Sequence, residues 1–245
     1  LLINGAVDVG TKGPDYINGF GLINVYRSSE ILKNNFFEKD TAIQGASENF
    51  SINVPSNTAQ LKVLLYWNDA PANPAMAKAL VNNLDLTVTE PNNTLHHPLI
   101  LDATPTNVTN QATEGVDTLN NVEQVVIDNP MSGNYTINVK GTSLPSSSQP
   151  YYLVYDFVPV GIKLKYPSTA IPVPANETVT IFWDASDNLN LLTLEYSIDN
   201  GNTWVTIDNA IGANEKFYSW NVPNINTEQA IVRIKRNNTS QQATS

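Results

Sequence analysis

The chain has no cysteine among its 245 residues. That excludes disulfides, thiolate metal sites and cysteine nucleophiles. Histidine is nearly as scarce, with only His96 and His97. Basic residues are few as well: 13 Lys and Arg stand against 23 Asp and Glu, for a net charge of −10. A nucleic-acid-binding protein needs a basic stripe, and none can be drawn through so acidic a chain. No apolar run approaches 18 residues, so no segment reads as a membrane-spanning helix. Charged residues make up 15% of the chain, well below the usual share of about 25%. Asparagine fills much of the gap, with 33 residues. A polar but weakly charged surface of this kind suits an all-β extracellular protein, and its many side-chain oxygens are compatible with Ca²⁺.

What is present is a pattern of short alternating runs. From about Phe50 the apolar period is two. Leu61, Val63, Leu65 and Trp67 share one face of "LKVLLYW", and Leu84, Leu86 and Val88 share one face of "LDLTV". "NYTINV" aligns Tyr135, Ile137 and Val139, and "YYLVYDF" aligns Tyr151, Leu153, Tyr155 and Phe157. Turn clusters such as "VPSNT", "EPNNT" and "SLPSSSQP" separate them. Short strands punctuated this way predict a sandwich or jelly roll. A boundary falls near "VPVGIKLKYP". Beyond it come "TVTIFW", "LLTLEYSI", "TWVTI" and "AIVRIK", enough short strands for an immunoglobulin-like sandwich without its disulfide, closer to a fibronectin-type-III core. The first 38 residues differ in kind. Leu22, Val25, Tyr26, Ser29 and Leu32 follow a helical period, if small Ser29 is allowed, which predicts a short amphipathic helix with that stripe as its apolar face. The organisation expected is therefore a helical remnant over 1–38, a jelly-roll domain over 39–159 and an immunoglobulin-like sandwich over 160–245.

The opening stretch "LLINGAVDVG…GPDYINGFGLINVYRSSEIL" resembles the C-terminal end of a subtilisin-like serine protease catalytic domain, with Gly19-Phe20-Gly21-Leu22-Ile23-Asn24 as the turn before that domain's last helix. "ALVNNLDLTVTEPNNT" and "LNNVEQVVIDNPMSGNYTINVKG" are similar to the jelly-roll domain attached to a group of secreted bacterial subtilases, over roughly residues 45–158. The proprotein-convertase P domain is a more distant likeness. The chain departs from the jelly-roll pattern in two places: Asn83 stands where Asp is usual, and Asn93 where the turn carries Gly. The last domain is similar to immunoglobulin-like modules appended to secreted proteins of the Bacteroidetes. The resemblance implies the non-catalytic C-terminal region of a secreted bacterial endopeptidase. Its partner would be an upstream catalytic domain of the same protein, and it would stabilise that domain and aid in seating protein or cell-surface substrates. The expectation is of a segment of a longer protein, continuing past "RNNTSQQATS" into a linker or another domain. A reading from a different class is a carbohydrate- or cell-surface-binding module, which requires an exposed aromatic platform.

Triad chemistry needs an Asp, a His and a Ser in fixed relation. In the subtilase order all three precede this segment, so no catalytic residue is expected within the chain. "GTSLP" at Gly141–Pro145 mimics the nucleophile motif, but "PSSSQP" follows where a helix is required, so it reads as a turn. His96 and His97 are adjacent and would point to opposite faces of a strand. Asp102 is the acid nearest them downstream. Two oxygen-rich clusters are candidate Ca²⁺ ligands: Asp69 with Asn68, Asn83 and Asp85, and Asp117 with Asn120, Asn121 and Glu123. Neither forms a linear calcium loop. In the last domain, "SIDNGNTW" matches the Asp-box pattern of sialidases, a single copy that predicts a structural hairpin rather than glycan chemistry.

Overall fold

The alternating runs fold as antiparallel strands around two separate cores. The computed structural model describes residues 1–168, 172–186, 190–213 and 215–245. Two units result, Leu1–Val158 and Pro159–Ser245. The first opens with helices α1 (Leu2–Gly5) and α2 (Val25–Lys33). Strands β1 (Phe37–Ile43), β2 (Ser47–Val54), β3 (Thr58–Trp67) and β4 (Asn83–Thr89) follow. An excursion then carries the short strands β5 (Leu95–His96), β6 (Leu99–Ile100) and β7 (Thr113–Glu114) before β8 (Val122–Asp128), β9 (Gly133–Ser143) and β10 (Ser148–Pro159).

One sheet has the order β1-β10-β3-β8 and the other β2-β9-β4-β5. Two four-stranded antiparallel sheets with this interleaving are a jelly roll. Leu61, Val63, Leu65 and Trp67 meet Leu84, Leu86, Val88, Tyr135, Ile137 and Val139 in one core, as period-two alternation requires. β3 goes further, because nine of its ten residues are buried. Its outer face must therefore be covered too.

Residues 1–36 supply that cover. The Asn4 side chain donates to the carbonyl of Lys62 at 3.3 Å and accepts from Gln124 Nε2 at 3.1 Å. The Lys62 ammonium, on the outer face of β3, donates to the carbonyl of Ala6 at 2.8 Å. Helix α2 starts where Asn24 Oδ1 accepts from the Arg27 backbone N–H at 3.0 Å, satisfying one of the free N–H groups of the first turn. It stops at Asn34, after which Asn35 takes a left-handed conformation with φ 55°. Arg27 is buried and grips Asp156 of β10 through Nε and Nη2, at 3.1 and 2.5 Å. Nη2 also reaches the carbonyl of Phe157 at 3.1 Å. Gly21 (φ 99°) lies against the carbonyl of Val7, where any Cβ would collide with backbone.

The helix period read from the sequence holds, but the buried face does not. Arg27, Ser28 and Ile31 face inward, while Leu22, Val25 and Leu32 of the apolar stripe face solvent. An arginine took the inner position because Asp156 and the Phe157 carbonyl satisfy it there.

The second unit contains β11 (Ile162–Tyr166), β12 (Thr178–Ala185), β13 (Leu192–Ser197), β14 (Val205–Ile211), β15 (Phe217–Asn221), β16 (Ile231–Arg236) and β17 (Gln242–Thr244). Its sheets have the orders β11-β12-β15 and β14-β13-β16-β17. This three-on-four arrangement is the fibronectin-type-III form of the sandwich. Ile181, Trp183, Leu192, Leu194, Val232 and Ile234 fill the core. Asn200 and Gly201, both at positive φ, close the "SIDNGNTW" hairpin.

Six of the seven non-glycine residues described at positive φ are asparagines, among them Asn93 at 67°. Asn tolerates the left-handed region better than other side chains, so Asn93 can occupy the turn position where Gly is usual.

The buried ion pair predicts a clear hierarchy. Asp156→Ala leaves Arg27 charged and unpaired in the interior and should destabilise the first unit by about 3–5 kcal/mol. Arg27→Met combined with Asp156→Leu should recover most of that loss. Urea unfolding followed by circular dichroism would check both, and equal losses in the single and double variants would contradict the pairing.

Candidate functional site

β4 lies between β9 and the two-residue strand β5, which pairs only with Val88 and Thr89. The N–H of Leu86, two residues earlier, points the same way but past the end of β5. Glu123, at the start of β8, fills the gap: its Oε2 accepts from Leu86 N at 2.7 Å. Glu123 is 2% exposed, and its second oxygen, Oε1, has no hydrogen-bond partner among the described residues.

Around Glu123 lies a small cavity of about 120 Å³, lined also by Asp85, Thr87, His97, Asp117, Asn138 and Lys140. Asp117 folds its carboxylate back on its own turn, accepting from the N–H groups of Leu119 and Asn120 at 2.8 and 3.1 Å. Asp85 accepts from Asn83 Nδ2 at 3.2 Å and from the Thr142 hydroxyl. Lys140 stands opposite Asp85 in the β4–β9 register. Burial pushes the Glu123 carboxyl upward. The Leu86 N–H opposes this, and the charges of Asp85 and Asp117 add to it, so the pKa rises to about 9. At neutral pH Glu123 therefore carries a proton in this environment.

The structure thus draws three of the candidate ligands, Asp85, Asp117 and Glu123, from two separate sequence clusters to one cavity. Asn83 adjoins them through Asp85 and holds a buried, unpartnered Oδ1. Asp69 is not with them. Its carboxylate accepts from the N–H groups of Val81 and Asn82 at 2.7 and 2.9 Å and so pins the loop before β4. Asn121 caps Trp67 by donating to its carbonyl at 2.8 Å. Among the described residues no three acidic or histidine side chains are grouped so as to hold a metal ion as they stand. Lys140, from β9, and His97, from the link between β5 and β6, also line the cavity, and spacing does not place either of them there.

The other sequence signals resolve simply. Gly141–Ser143 is the end of β9, where Gly141 passes too close to the carbonyl of Ile43 to carry a side chain. Ser143 is exposed and pairs in register with Asn83. His96 does not meet Asp102, which instead caps Thr104 and binds Asn107. It sits between Glu90 and Glu114. In the second unit Asp199 accepts from the Ser197 hydroxyl and from the Thr203 hydroxyl and N–H, at 2.6, 2.6 and 2.8 Å. Those bonds lower its pKa to about 2. Trp204 lies beneath the Arg233 guanidinium at 3.8 Å, so the Asp-box residues knit the hairpin to the sheet. Phe182 and Phe217 form an exposed aromatic pair across β12 and β15. No helix among the described residues is long and apolar enough to cross a membrane.

No family model and no curated protein matches the chain. Among solved structures it is similar to a Bacillus licheniformis lipase, BlEst2, in propeptide form, at 10% identity and a TM-score of 0.32, covering 85% of this chain and 39% of that one. It is also similar to the glycoside hydrolase domain of Endo-D from Streptococcus pneumoniae R6, at 10% identity and a TM-score of 0.25, covering 85% and 32%. A DUF4785 family protein from Legionella pneumophila gives 9% identity and a TM-score of 0.23, covering 85% and 62%. The chain spans less than two thirds of the length of each.

The raised pKa of Glu123 fixes the sign of a pH effect. The unfolded carboxyl ionises near 4.3, whereas the folded one holds its proton to about 9. The stability it contributes is complete below pH ~4.3 and falls as pH rises toward 9. In chelator, Glu123→Gln should flatten that fall and be the more stable protein at pH 8. Parallel stability–pH curves for the two proteins would contradict a buried neutral acid.

Proposed function

We propose that this chain is the non-catalytic C-terminal region of a secreted subtilisin-like serine endopeptidase. The supporting observation is the two-sidedness of the N-terminal segment. Its inner face is fastened to the jelly roll by Asn4, Arg27 and the Lys62–Ala6 bond. Along the same segment Leu2, Tyr16, Ile17, Leu22, Ile23, Val25 and Leu32 are exposed, with Ile17 at 83% and Val25 at 69%. So many exposed apolar side chains on one short segment are unusual for a surface left to water. They suit a segment that ends one domain and begins the next, with the upstream catalytic domain packed over them. The resemblance of "GPDYINGFGLINVYRSSEIL" to the last turn and helix of subtilase catalytic domains supports the same partner.

In this reading the jelly roll is a bracket. It holds the last helix of the catalytic domain at a defined position and stabilises that domain, and it helps seat protein substrates. Peptide-bond cleavage belongs to an upstream triad. Neither histidine of this chain is arranged to activate Ser143. The test is direct. The chain extended upstream to include the preceding domain should react with a fluorophosphonate probe and digest casein, while this chain alone does neither. Val25→Asp with Ile17→Asp should lower the melting temperature of the extended protein by several degrees. An extended protein that lacks a reactive serine, or one indifferent to those substitutions, would overturn the reading.

Calcium belongs to this proposal. The unpartnered oxygens of Glu123 and Asn83, with the Asp85 and Asp117 carboxylates beside the cavity, are the donors it would use after small side-chain adjustments. A cation there would replace the proton on Glu123 and relieve the crowding of three acids. Ca²⁺ should raise the melting temperature over that in chelator, because a ligand that binds only the native state stabilises it. An identical melting temperature in both would remove calcium from the account.

A further inference from the structure

The strongest unassigned arrangement lies outside the acidic cavity, at the tip of β4. His96 presents both ring nitrogens to carboxylates: Nε2 is 2.7 Å from Glu90 Oε1 and Nδ1 is 3.0 Å from Glu114 Oε1. Glu114 extends its grip by accepting from the backbone N–H of His97 at 3.2 Å. Glu90 also accepts from the Tyr135 hydroxyl at 3.2 Å. A neutral imidazole has one N–H donor, while the imidazolium has two. Only the charged ring can donate to both carboxylates, so the geometry itself selects the protonated form.

The three residues come from three places. Glu90 follows β4, His96 ends β5 and Glu114 ends β7. Between His96 and Glu114 runs most of the 95–118 excursion, whose strand pairings are of two residues each. That excursion matters to its surroundings, because Leu99 and Ala112 pack against Gly13 of the N-terminal segment.

We propose that Glu90, His96 and Glu114 form a proton-locked clasp, which fastens the 95–118 excursion to the sandwich while the His96 ring is protonated and releases it as pH rises. Loss of the imidazolium proton turns one of the two ring nitrogens into a lone pair facing a carboxylate within hydrogen-bond distance. One arm of the clasp then becomes repulsive. The charged and titratable groups facing His96 are Glu90 and Glu114, with Tyr135 reached through Glu90. His97, the next residue, borders the acidic cavity with Asp85, Asp117, Glu123 and Lys140.

The sign follows from the competing causes. Burial of the His96 ring would lower its pKa. Hydrogen bonds to Glu114 and Glu90, and their charges, outweigh burial and raise it. A raised pKa means that the clasp is fully closed below the ordinary value of about 6.5 and is lost as pH climbs through the folded value. Each unit of elevation corresponds to about a tenfold preference for the closed, protonated state.

The experiment uses the intact chain. The Cε1 proton resonances of the two histidines, assigned with His97→Gln, are followed by NMR from pH 5 to 10. Amide exchange of residues 95–118 is measured at pH 6 and pH 9 and corrected for intrinsic rate. The clasp predicts that His96 titrates above the ordinary histidine value and that Glu114→Gln lowers its midpoint. It also predicts severalfold loss of protection in 95–118 at pH 9, with the strands of the two main sheets unchanged. A His96 midpoint at or below the ordinary value, or protection of 95–118 that is the same at both pH values, would overturn the proposal.

Discussion

The outer face of β3 cannot be left to water. A strand buried on its inner side by the jelly-roll core, and carrying Leu64 outward, exposes apolar surface unless something lies over it. Residues 1–36 meet that need, and their position is set by charge as much as by packing. The Arg27–Asp156 pair is the anchor. Both groups are buried, both are satisfied through geometry a lysine could not match, and the helix that carries Arg27 is oriented by the pair. The rest of the N-terminal segment follows from that constraint. Once Arg27 and Ile31, one turn apart, are turned inward, the helical geometry leaves Val25 and Leu32 on the outside.

The same logic, in reverse sign, governs the acidic cavity. Asp156 meets a cation in the interior, but Glu123 meets two other acids at the edge of a cavity. A low-dielectric site cannot hold that many negative charges without a proton or a cation. The Leu86 N–H makes the site possible by giving Glu123 one fixed partner. Lys140 stands across the register from Asp85, so positive charge is near the cavity as well. The clasp proposed at His96 is a third solution to the same problem, in which one imidazolium gives a separate N–H to each of two carboxylates.

The β architecture was legible because its signal is local. Period-two alternation in "LDLTV" or "NYTINV" determines which side chains face inward, and the pleat leaves no other choice. The burial of β3 on both faces was visible only as a denser apolar run. The helix was legible in its period and illegible in its orientation. Its inward face is decided by Asp156, more than a hundred residues away, and nothing near Arg27 in the chain announces that partner. The candidate site divides the same way. Asp85, Asp117 and Glu123 were recognisable as oxygen donors, but their meeting depends on β4 and β8 lying at the same end of the sandwich. Asp69 looked equivalent to them and is instead consumed by the loop it caps. Glu114, eighteen residues from His96, is not announced by the sequence, whereas Glu90 is as near to His96 in the chain as Asp102, and only the β4–β5 hairpin decides between the two.

Asparagine, the feature that most distinguishes the composition, has two separate physical roles. In the turns it occupies left-handed positions that would otherwise call for glycine, and Asn93 does so in a closed turn, its N–H donating to the Glu90 carbonyl at 2.9 Å. Next to the acidic cavity the role is electrostatic. An Asp at position 83 would place another negative charge beside Asp85, where Asp117 and Glu123 already crowd. Asn83 keeps the oxygen and offers Asp85 a donor in place of a like charge. With Asn at position 83, the acid beside the cavity is limited to three carboxyl groups, one of them protonated and one bonded to an amide.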